Sequence, residues 1–487
     1  MTRIEADIAV VGLGPAGLAA AIAAAEKGAY VVGFEKALTP GGAANMGGGP
    51  FGVESRLQRI NMVDVTKEQV FEEFMDYTHW NCNARLVRDY FWKSGDTISW
   101  LEGMGVEFEP PGKFYAGSWP TWHKVKPEGG GPSGPRAAGT MIKRMHERAG
   151  ELGVQMYLSA PAQRVLMENG EVAGIVALDE HGEEIECLCD SVIIATGGFG
   201  DSPELIRKHC GFEFGVDMFN FAIPGLVGDG IRMAWECGGA HGDIDMETNT
   251  KVRVPDECFG LANIFNQPNL IVNIAGERVM NEQYSENPAI LANVVRRQYK
   301  HFAYAICSSE LVDYYYEHGL DWDGIAGSVF GNTMNFLKDH LELAKTAAPE
   351  GSYIVDAEPE ELAAFFGIDP EGLKTTLEEY NATCEKGYDE YYNKDHRYLK
   401  PIRGKLWGCV IALSAYGSLG GIKINYTTQV ITEQQKAIPG LYAAGTDTCD
   451  IYAGTYLYKL PGNTMGYAVN TGRIAGENAA DYIFSLS

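Results

Sequence analysis

The sequence is poor in cysteine and in basic residues, and each shortage excludes a class of protein. Its 487 residues include 10 cysteines, and no two form a Cys-x-x-Cys pair, so the spacing excludes the common iron–sulfur, haem-attachment and zinc motifs. The sequence has 39 Lys and Arg residues against 65 Asp and Glu residues, which gives a formal charge of -26. Such an acidic surface repels phosphate backbones and anionic lipids. We therefore expect reduced thiols, no metal site and no nucleic-acid partner.

Long apolar segments are also lacking. One uncharged run, residues 8–25, is interrupted by Gly12, Gly14, Pro15 and Gly17 and is otherwise rich in Ala. A strand, a turn and a helix account for it better than a membrane span. The first residues show no basic segment followed by an apolar one, so no signal peptide is expected. The sequence predicts a soluble, cytoplasmic protein without membrane insertion.

What the sequence does contain is a series of short apolar strands that end in glycine-rich turns. The first strand, Asp7–Val11, leads into Gly12-Leu-Gly-Pro-Ala-Gly17 and a helix over 18–27. A second strand, Tyr30–Phe34, follows and ends at Glu35. This βαβ unit of about thirty residues has the size of a dinucleotide-binding half.

Two later strands end in the same kind of turn. Ser191–Ala195 stops at Thr196-Gly-Gly198, and Gly440–Ala444 stops at Gly445-Thr-Asp447. The dinucleotide-binding fold therefore uses both ends of the chain. Further predicted elements are strands over 153–157 and 174–178 and a final amphipathic helix over 465–484.

The middle of the chain is predicted to form a second domain of mixed α+β character. Residues 1–239 and 404–487 would then make up the dinucleotide-binding domain, with residues 240–403 inserted between them. Its predicted elements are a hairpin over 269–279, helices over 358–366 and 372–386, and the N-cap or turn residues Asp356 and Asp369.

The first turn has the spacing that a dinucleotide pyrophosphate requires. Gly12 permits the tight turn, Gly14 lets the pyrophosphate approach the backbone, and Gly17 lets helix and strand pack closely. The helix N-terminus offers N–H donors and a favourable dipole. Glu35 is expected to accept hydrogen bonds from ribose hydroxyls and to disfavour a 2′-phosphate. A glycine-rich turn without a ligand is the alternative.

The number of glycine-rich strand ends favours FAD over NAD. Besides the first turn, Thr39-Pro-Gly-Gly42, Thr196-Gly-Gly198 and Gly445-Thr-Asp447 have this composition. One ligand longer than a mononucleotide, contacted from both ends of the chain, accounts for all four segments. FAD is the predicted cofactor.

Six segments spread over nearly the whole length together resemble one flavoprotein family. They are Val11-Gly-Leu-Gly-Pro-Ala-Gly17, Ala195-Thr-Gly-Gly-Phe-Gly200, Gly228-Asp-Gly230, Asn273-Ile-Ala-Gly-Glu-Arg-Val-Met-Asn-Glu282, Leu419-Gly-Gly-Ile422 and Pro439-Gly-Leu-Tyr-Ala-Ala-Gly445. The family comprises fumarate reductases, succinate dehydrogenase flavoprotein subunits and 3-ketosteroid dehydrogenases. The resemblance implies an α/β, Rossmann-like FAD-binding domain of the glutathione-reductase type, with an α+β capping domain that closes over the flavin.

The same resemblance assigns residues to the cofactor. It implies that Glu35 holds the adenine-side ribose and that Asp447 lies near the flavin's sugar chain. The full set of predicted cofactor-binding residues is Gly12, Gly14, Pro15, Ala16, Gly17, Glu35, Lys36, Gly41, Gly42, Ala43, Asn45, Met46, Gly47, Gly48, Thr196, Gly197, Gly198, Asp229, Gly445, Asp447, Gly462, Asn463 and Thr464.

The chain departs from the fumarate reductases where their substrate binds. Their His-Thr-x-Gly-Gly segment corresponds here to Gly417-Ser-Leu-Gly-Gly421, and their Asn-Arg-Leu-Gly-Gly-Asn segment to Tyr458-Lys-Leu-Pro-Gly-Asn463. The place of their proton-donating Arg falls on Glu286. These losses argue against a dicarboxylate substrate, because Lys459 lacks the rigid fork of an Arg.

Aromatic residues remain where the cations are missing. A phenol can donate a proton or hydrogen-bond a carbonyl oxygen, and Glu286 would serve as an acid or base if burial raised its pKa. Packing alone is the alternative for the tyrosines, and a helix cap or solvated side chain for Glu286. The segment 114–123 is a candidate aromatic pocket wall. The catalytic candidates are Tyr458, Lys459, Tyr416, Glu286 and Tyr284.

The predicted function is that of an FAD-dependent oxidoreductase acting on CH–CH groups. It would reduce or form a C=C bond conjugated to a carbonyl or carboxyl group, in an aryl enoate, enone or steroid that is larger and less charged than fumarate. The alternatives are a 3-ketosteroid 1-dehydrogenase, an electron-transferring flavoprotein subunit and a non-catalytic flavin-binding protein. A separate electron donor or acceptor is the expected partner.

Overall fold

The computed structural model describes residues 2–322, 343 and 352–486, with only the backbone given for 256, 257 and 259. Residues 323–342 and 344–351 of the predicted insert therefore lie outside the described part. The strands are β1 (Thr2–Glu5), β2 (Ile8–Val11), β3 (Val31–Phe34), β4 (Gln155–Tyr157), β5 (Ala162–Glu168), β6 (Glu171–Leu178), β7 (Glu184–Leu188), β8 (Ser191–Ile194), β9 (His241–Val252), β10 (Leu270–Val272), β11 (Phe302–Ser308), β12 (Tyr353–Ala357), β13 (Leu406–Ile422), β14 (Gln429–Ile431) and β15 (Ala437–Ala443).

The helices range from single turns to the long C-terminal helix. They are α1 (Pro15–Glu26), α2 (Arg56–Ile60), α3 (Lys67–Thr78), α4 (Ala84–Gly103), α5 (Ala138–Glu151), α6 (Pro203–Leu205), α7 (Asp229–Glu236), α8 (Ala262–Phe265), α9 (Pro288–Arg296), α10 (Ser309–His318), α11 (Pro359–Phe366), α12 (Pro370–Lys386) and α13 (Asn463–Leu486), with short 3-10 turns at Gly42–Met46, Glu282–Glu286 and Gly445–Asp447 among others.

The predicted dinucleotide-binding sheet is present and has six strands in the order β14-β15-β8-β2-β3-β4. The pairs from β15 to β4 are parallel, and β14 is antiparallel at one edge. Strands β2, β3 and β8 are buried along their whole length, as expected for parallel strands covered on both faces. The α/β prediction is confirmed.

Helices α1 and α13 cover this sheet and pack closely on each other. A Cβ at Gly472 would lie 2.2 Å from Ala16 O, and one at Gly476 would lie 2.2 Å from Ala20 O. Only glycine at these positions, one helical turn apart, lets the two backbones approach so closely. The contact fixes the C-terminal helix over the first βαβ unit.

The other two sheets are antiparallel for the most part. A four-stranded sheet has the order β1-β7-β6-β5. In a five-stranded sheet, β10, β11, β13 and β12 lie side by side, and β9 also pairs with β13. Strand β11 pairs along one edge of β13. The other edge of β13 pairs first with β12 and further along with β9. The 17-residue strand β13 thus belongs to the sheet of residues 241–357 although it begins after position 403.

Helix starts in the insert differ in detail from the sequence prediction. Asp369 is the N-cap of α12. Asp356 is not a cap, because it ends up within strand β12 and Glu358 caps α11 through a capping box with Glu361. All ten cysteines are free thiols. Within the described residues, no helix combines the length and the apolar character that crossing a bilayer requires.

Candidate functional site

The predicted glycine-rich segments converge at one edge of the six-stranded sheet. Strands β15, β8, β2 and β3 run parallel, so their carboxyl ends lie side by side. A glycine-rich turn directly follows β2, β8 and β15, and another begins seven residues after β3, at Gly41. In open α/β sheets this edge is where ligands bind.

The first turn is shaped by two glycines and left open at a third. A Cβ at Gly12 would lie 2.5 Å from Ala195 O, and one at Gly17 would lie 1.8 Å from Gly12 O. A Cβ at Gly14 would meet only Gly41 O, at 3.9 Å. Gly12 and Gly17 are therefore needed for packing, whereas the space at Gly14 is left for something outside the protein. Helix α1 begins here without a side-chain cap, so its first N–H groups are free to face an anion.

The carboxylate of Glu35 braces this turn. One oxygen accepts a hydrogen bond from Leu13 N at 2.9 Å, and the other accepts one from Ala37 N at 2.8 Å. Gly41 N also donates to Leu13 O at 2.9 Å, which fixes the loop after β3 against the turn. Glu35 thus lies at the end of β3 and orients the turn.

Asp447 joins the ends of two strands. Its buried carboxylate accepts hydrogen bonds from Thr196 N at 2.5 Å, Gly197 N at 3.3 Å and Gly198 N at 2.8 Å, and from the Thr196 hydroxyl. Burial raises the pKa of Asp447, and these bonds offset a part of the shift. The acid predicted to lie near the flavin's sugar chain is therefore used by the protein to hold β8 against β15.

One buried polar atom at the start of α13 has no protein partner. The Nδ2 atom of Asn463 is buried without a hydrogen bond. The Oδ1 atom of Asn463, in contrast, accepts bonds from Tyr452 at 2.7 Å and Tyr90 at 3.3 Å. Buried polar atoms are rarely left unsatisfied, so the unpaired amide donor fits a polar ligand at this place. The open space at Gly14 and this donor together fit a dinucleotide that ends in a polar ring system.

The remaining predicted cofactor residues lie along the same edge. Lys36 pairs with Asp229 at 2.6 Å, which connects the end of β3 to the start of α7. Gly445 N donates to the Thr471 hydroxyl at 3.0 Å. Pro15 and Ala16 are in the first turn of α1, Gly42, Ala43, Asn45 and Met46 form a 3-10 turn followed by Gly47 and Gly48, and Gly462 immediately precedes α13.

Beyond the start of α13 lies a group of aromatic side chains, which we call the aromatic cluster: Phe114, Tyr416, Tyr452, Tyr456 and Tyr458. The Tyr458 ring stacks on Phe114 at 5.6 Å and meets Tyr416 at 6.2 Å and Tyr456 at 4.7 Å between ring centroids. Tyr456 in turn meets Tyr452 at 5.0 Å. The cluster is tied to α13 by a hydrogen bond of 2.9 Å from Thr464 N to the Tyr456 hydroxyl.

Sequence reasoning did not identify Glu247, a carboxylic acid that lies within this cluster. Glu247 is 8% exposed, and no described Lys or Arg forms an ion pair with it. Burial raises its pKa to about 8, and the neighbouring Thr464 hydroxyl offsets a part of this shift. Burial and then Glu247 itself raise the pKa of Tyr456 and Tyr458 well above the usual value of a phenol. The cluster therefore contains a weak acid and phenols, and no lysine or arginine in the described part of the chain pairs with that acid.

An irregularity between two strands places Glu247 here. On β9 and β13, Met246 pairs with Ser418 and Thr248 pairs with Ala415, so that Tyr416 and Gly417 together face Glu247. Two residues opposite one is the pattern of a β-bulge, which redirects side chains and is common beside active sites. The signal was hidden in the sequence, because the partner strand lies about 170 positions further along the chain.

The structure brings two of the five catalytic candidates together and places three apart. Tyr458 and Tyr416 are in the aromatic cluster, Tyr458 buried and Tyr416 40% exposed. Lys459 Nζ pairs with Glu73 at 2.8 Å at a surface depression that includes Trp119.

The other two candidates lie on the turn before α9. Glu286 accepts a hydrogen bond from Ala116 N at 3.1 Å, and burial raises its pKa. Tyr284 is 53% exposed. Neither residue contacts the aromatic cluster, although the loop that Glu286 binds continues from Phe114.

Comparison with known proteins gives consistent matches over the whole chain. The family model described as FAD binding domain matches residues 7–465. The vinyl phenol reductase of Lactiplantibacillus plantarum is 29% identical, over 99% of this chain and 97% of that protein. The urocanate reductase of Eggerthella lenta is also 29% identical, over 98% of this chain and 75% of that protein.

Solved structures share the fold. The 3-ketosteroid-Δ4-(5α)-dehydrogenase of Rhodococcus jostii, in complex with 4-androstene-3,17-dione, superposes with a TM-score of 0.77 at 23% identity, over 99% of this chain and 98% of that chain. The open conformation of a flavocytochrome c3 fumarate reductase gives 0.69 at 24% identity, over 99% of this chain and 79% of that chain.

Proposed function

Because the chain belongs to the FAD binding domain family, we propose that it reduces the C=C bond of an uncharged aromatic alkene, of which a vinyl phenol is the model. The cofactor is FAD, and the chain is an oxidoreductase that acts on CH–CH groups. When bound and reduced, FAD supplies a hydride for such a bond. The substrate class and the roles of individual residues below are our proposals.

The observation that supports this substrate class is that no described Lys or Arg forms an ion pair with the acid of the cluster. The largest influences on the pKa of Glu247, Tyr456 and Tyr458 are burial and uncharged or acidic neighbours. A dicarboxylate would bring two negative charges next to Glu247 with nothing among the described residues to neutralise them, at a high desolvation cost. A flat neutral ring can stack on aromatic side chains at little cost. The full-length match to a vinyl phenol reductase agrees with this choice.

Tyr458 and Tyr416 are proposed to hold the substrate. Their rings give the ring of an aryl alkene flat surfaces to pack on, and their hydroxyls can hydrogen-bond a phenol oxygen. Asn249 donates to the Tyr458 hydroxyl at 3.4 Å and orients it. Because burial keeps Tyr458 protonated far above neutral pH, it acts as a hydrogen-bond donor rather than as the proton source.

Residues 240–403 are proposed to form the cap over this site. Polar contacts connect that region to the rest of the molecule near the cluster. Besides the bond from Asn249 to Tyr458, they include Asn287 Nδ2 to the Tyr115 hydroxyl at 3.0 Å, Ala116 N to Glu286 at 3.1 Å, and Asn293 Nδ2 to the Thr455 hydroxyl at 3.1 Å. A cap held over the site in this way would exclude water from it.

Electrons are proposed to come from a separate donor, since the cysteine spacing offers no iron–sulfur or haem attachment within the chain. The reduced flavin can therefore be prepared artificially, and the alkene alone then tests the substrate class.

The test is a panel of alkenes mixed with the holoenzyme after anaerobic photoreduction. The panel contains 4-vinylphenol, an aryl enoate, fumarate, urocanate and a 3-ketosteroid with a ring double bond, and flavin absorbance reports reoxidation. We expect 4-vinylphenol to reoxidise the flavin at least about 100-fold faster than fumarate, since fumarate lacks a cationic grip in this site. Faster reoxidation by fumarate or urocanate than by either aryl alkene would refute the proposal.

A further inference from the structure

We propose that Glu247 is the catalytic acid of this site and that its carboxyl delivers a proton to one carbon of the substrate's double bond. The inference rests on the proposed function and adds the group that completes the reduction. Glu247 was not among the catalytic candidates predicted from the sequence.

The position of Glu247 carries the inference. The bulge in β13 sets Glu247 opposite Tyr416 and Gly417. The carboxyl of Glu247 and the side chain of Tyr416 are therefore neighbours. Glu247 also faces Tyr452, Tyr456 and Tyr458 from the segment before α13, and Thr464 from α13 itself. The acid thus lies among the side chains proposed to bind the substrate, and its neighbour Thr464 directly follows Asn463, whose Nδ2 atom is unpaired.

The charge environment of Glu247 keeps a proton available. Asp245, two residues earlier on β9, pairs with Arg296 at 3.4 Å. Besides the pKa values of the tyrosines, Glu247 also raises the pKa of the buried Cys449 thiol. Burial raises the pKa of Glu247 to about 8, and within the described ranges no cation is among the causes of this shift. The carboxyl is therefore protonated at neutral pH.

The other groups nearby are poorer proton donors. General acids work best when their pKa lies near the operating pH. Burial raises the pKa of Tyr452, Tyr456 and Tyr458 well above the usual phenol value, so they release a proton less readily than Glu247. Lys459 is engaged by Glu73 outside the cluster.

The proton and the hydride together account for every bond that changes in the reduction. The O–H bond of Glu247 and the π bond of the alkene break, and a C–H bond forms at the carbon that does not receive the hydride. The hydride, which carries both electrons, completes the second C–H bond. Glu247 is left as a carboxylate and regains its proton from water at the residual opening of the site, where it is 8% exposed.

The experiment compares Glu247→Gln and Glu247→Asp with a matched control, Glu102→Gln. Glu102 is a partly exposed glutamate that pairs with Arg56 on the surface and lies outside the site. Each holoenzyme is first checked for FAD content and thermal unfolding, then photoreduced and mixed with 4-vinylphenol at several pH values.

We expect the flavin of Glu247→Gln to be reoxidised at least about 100-fold more slowly than that of the wild type. The wild-type rate should fall as the pH rises through about 8, because only the protonated carboxyl can donate. Glu247→Asp should retain a part of this pH-dependent rate, and Glu102→Gln should behave as the wild type does.

A second readout does not depend on turnover. In infrared difference spectra of the oxidised holoenzyme, the carbonyl stretch of a protonated carboxyl should disappear as the pH rises through about 8, and this signal should be missing in Glu247→Gln. Its presence in the variant, or its absence in the wild type, would overturn the inference.

The two proposals fail differently. A wild-type enzyme that 4-vinylphenol reoxidises, together with Glu247→Gln at an unchanged rate and pH profile, overturns the role of Glu247 and leaves the proposed function intact. A wild-type enzyme that no aryl alkene reoxidises overturns both.

Discussion

Two buried glutamates of this protein lie in contrasting surroundings. Glu282, in the sheet-bearing middle of the chain, is fully buried and pairs with Arg278 at 2.8 Å and with Lys394 at 3.1 Å. Arg278 also pairs with Asp389 at 2.8 Å. Glu247 is nearly as buried, but no described Lys or Arg forms an ion pair with it, and its neighbours include phenols, a thiol and a hydroxyl. The same residue type thus has a structural role in one place and an acidic proton in the other.

The pKa shifts follow the partners rather than the burial. Although burial opposes the shift, the carboxylates of Glu282 and Asp389 raise the pKa of Arg278, and Arg278 in turn lowers the pKa of Asp389. In the ionic network the charges therefore stabilise one another. At Glu247 burial acts without such compensation and raises the pKa. Charge pairing decides whether a buried acid holds the fold or holds a proton.

The largest expected effect is the pH dependence of stability that Glu247 causes. Its pKa rises from 4.5 to about 8 on folding, so its contribution is fully present below pH 4.5 and is lost as the pH rises through about 8. The loss amounts to on the order of 5 kcal/mol. Glu247→Gln stays neutral, so its free energy of unfolding relative to the wild type should rise over this window.

Urea denaturation at about pH 5 and about pH 9 measures this difference. The same two measurements on Glu102→Gln provide the control. Equal pH dependence in Glu247→Gln and the wild type would mean that Glu247 is not held protonated by burial.

The next effect is expected in the ionic network. Glu282→Gln leaves Arg278 and Lys394 buried with one carboxylate fewer, and we expect a loss of about 3–5 kcal/mol in the free energy of unfolding at neutral pH. Denaturant titration of the holoenzyme measures it. A loss below about 1 kcal/mol would mean that Glu282 contributes no more to stability than a surface ion pair does, and the contrast between the two glutamates would disappear.

A third substitution gives Glu247 a cationic neighbour such as Glu282 already has. Asn249 lies two residues after Glu247 and therefore on the same face of β9. Asn249→Lys is expected to place a cation beside Glu247 and to lower its pKa by about 1–3 units. The infrared titration of the Glu247 carboxyl would then move to lower pH, with Asn249→Gln as the uncharged control. An unmoved titration would show that pairing does not govern this acid.

The smallest effect is expected at the surface. Glu102→Gln removes an exposed ion pair with Arg56 and should change the free energy of unfolding by less than about 1 kcal/mol. A larger loss would show that exposed pairs in this protein contribute as much as buried ones.

The dinucleotide-binding part of the fold was predictable because its signals are local. Strand β2, the turn at Gly12 and helix α1 follow one another within about twenty residues, and the predicted bounds agree with the structure within a few positions. The ends of β8 and β15 were found for the same reason, since each apolar run stops directly at a glycine-rich turn. The number of glycine-rich strand ends predicted FAD, and the family resemblance carried by the same segments agreed with that prediction.

The proposed reaction site was less predictable because its residues meet across the chain. Tyr416 and Tyr458 were predicted from their places beside recognisable motifs, and the structure brings the two side chains together. Glu247 was missed, since within Asp245-Met-Glu-Thr-Asn249 it reads as one polar residue of a strand, and only the pairing of β9 with β13 reveals its neighbours. For Lys459 the sequence gives the position but not the ion pair with Glu73.

Strand β13 makes one mechanical unit of two regions that sequence analysis separates. Its first half lies between β11 and β12, and its second half carries Tyr416 to the bulge opposite Glu247. Because Glu247 and Tyr416 face each other across β9 and β13, the proposed cap closure and the proposed proton transfer would involve the same backbone segment.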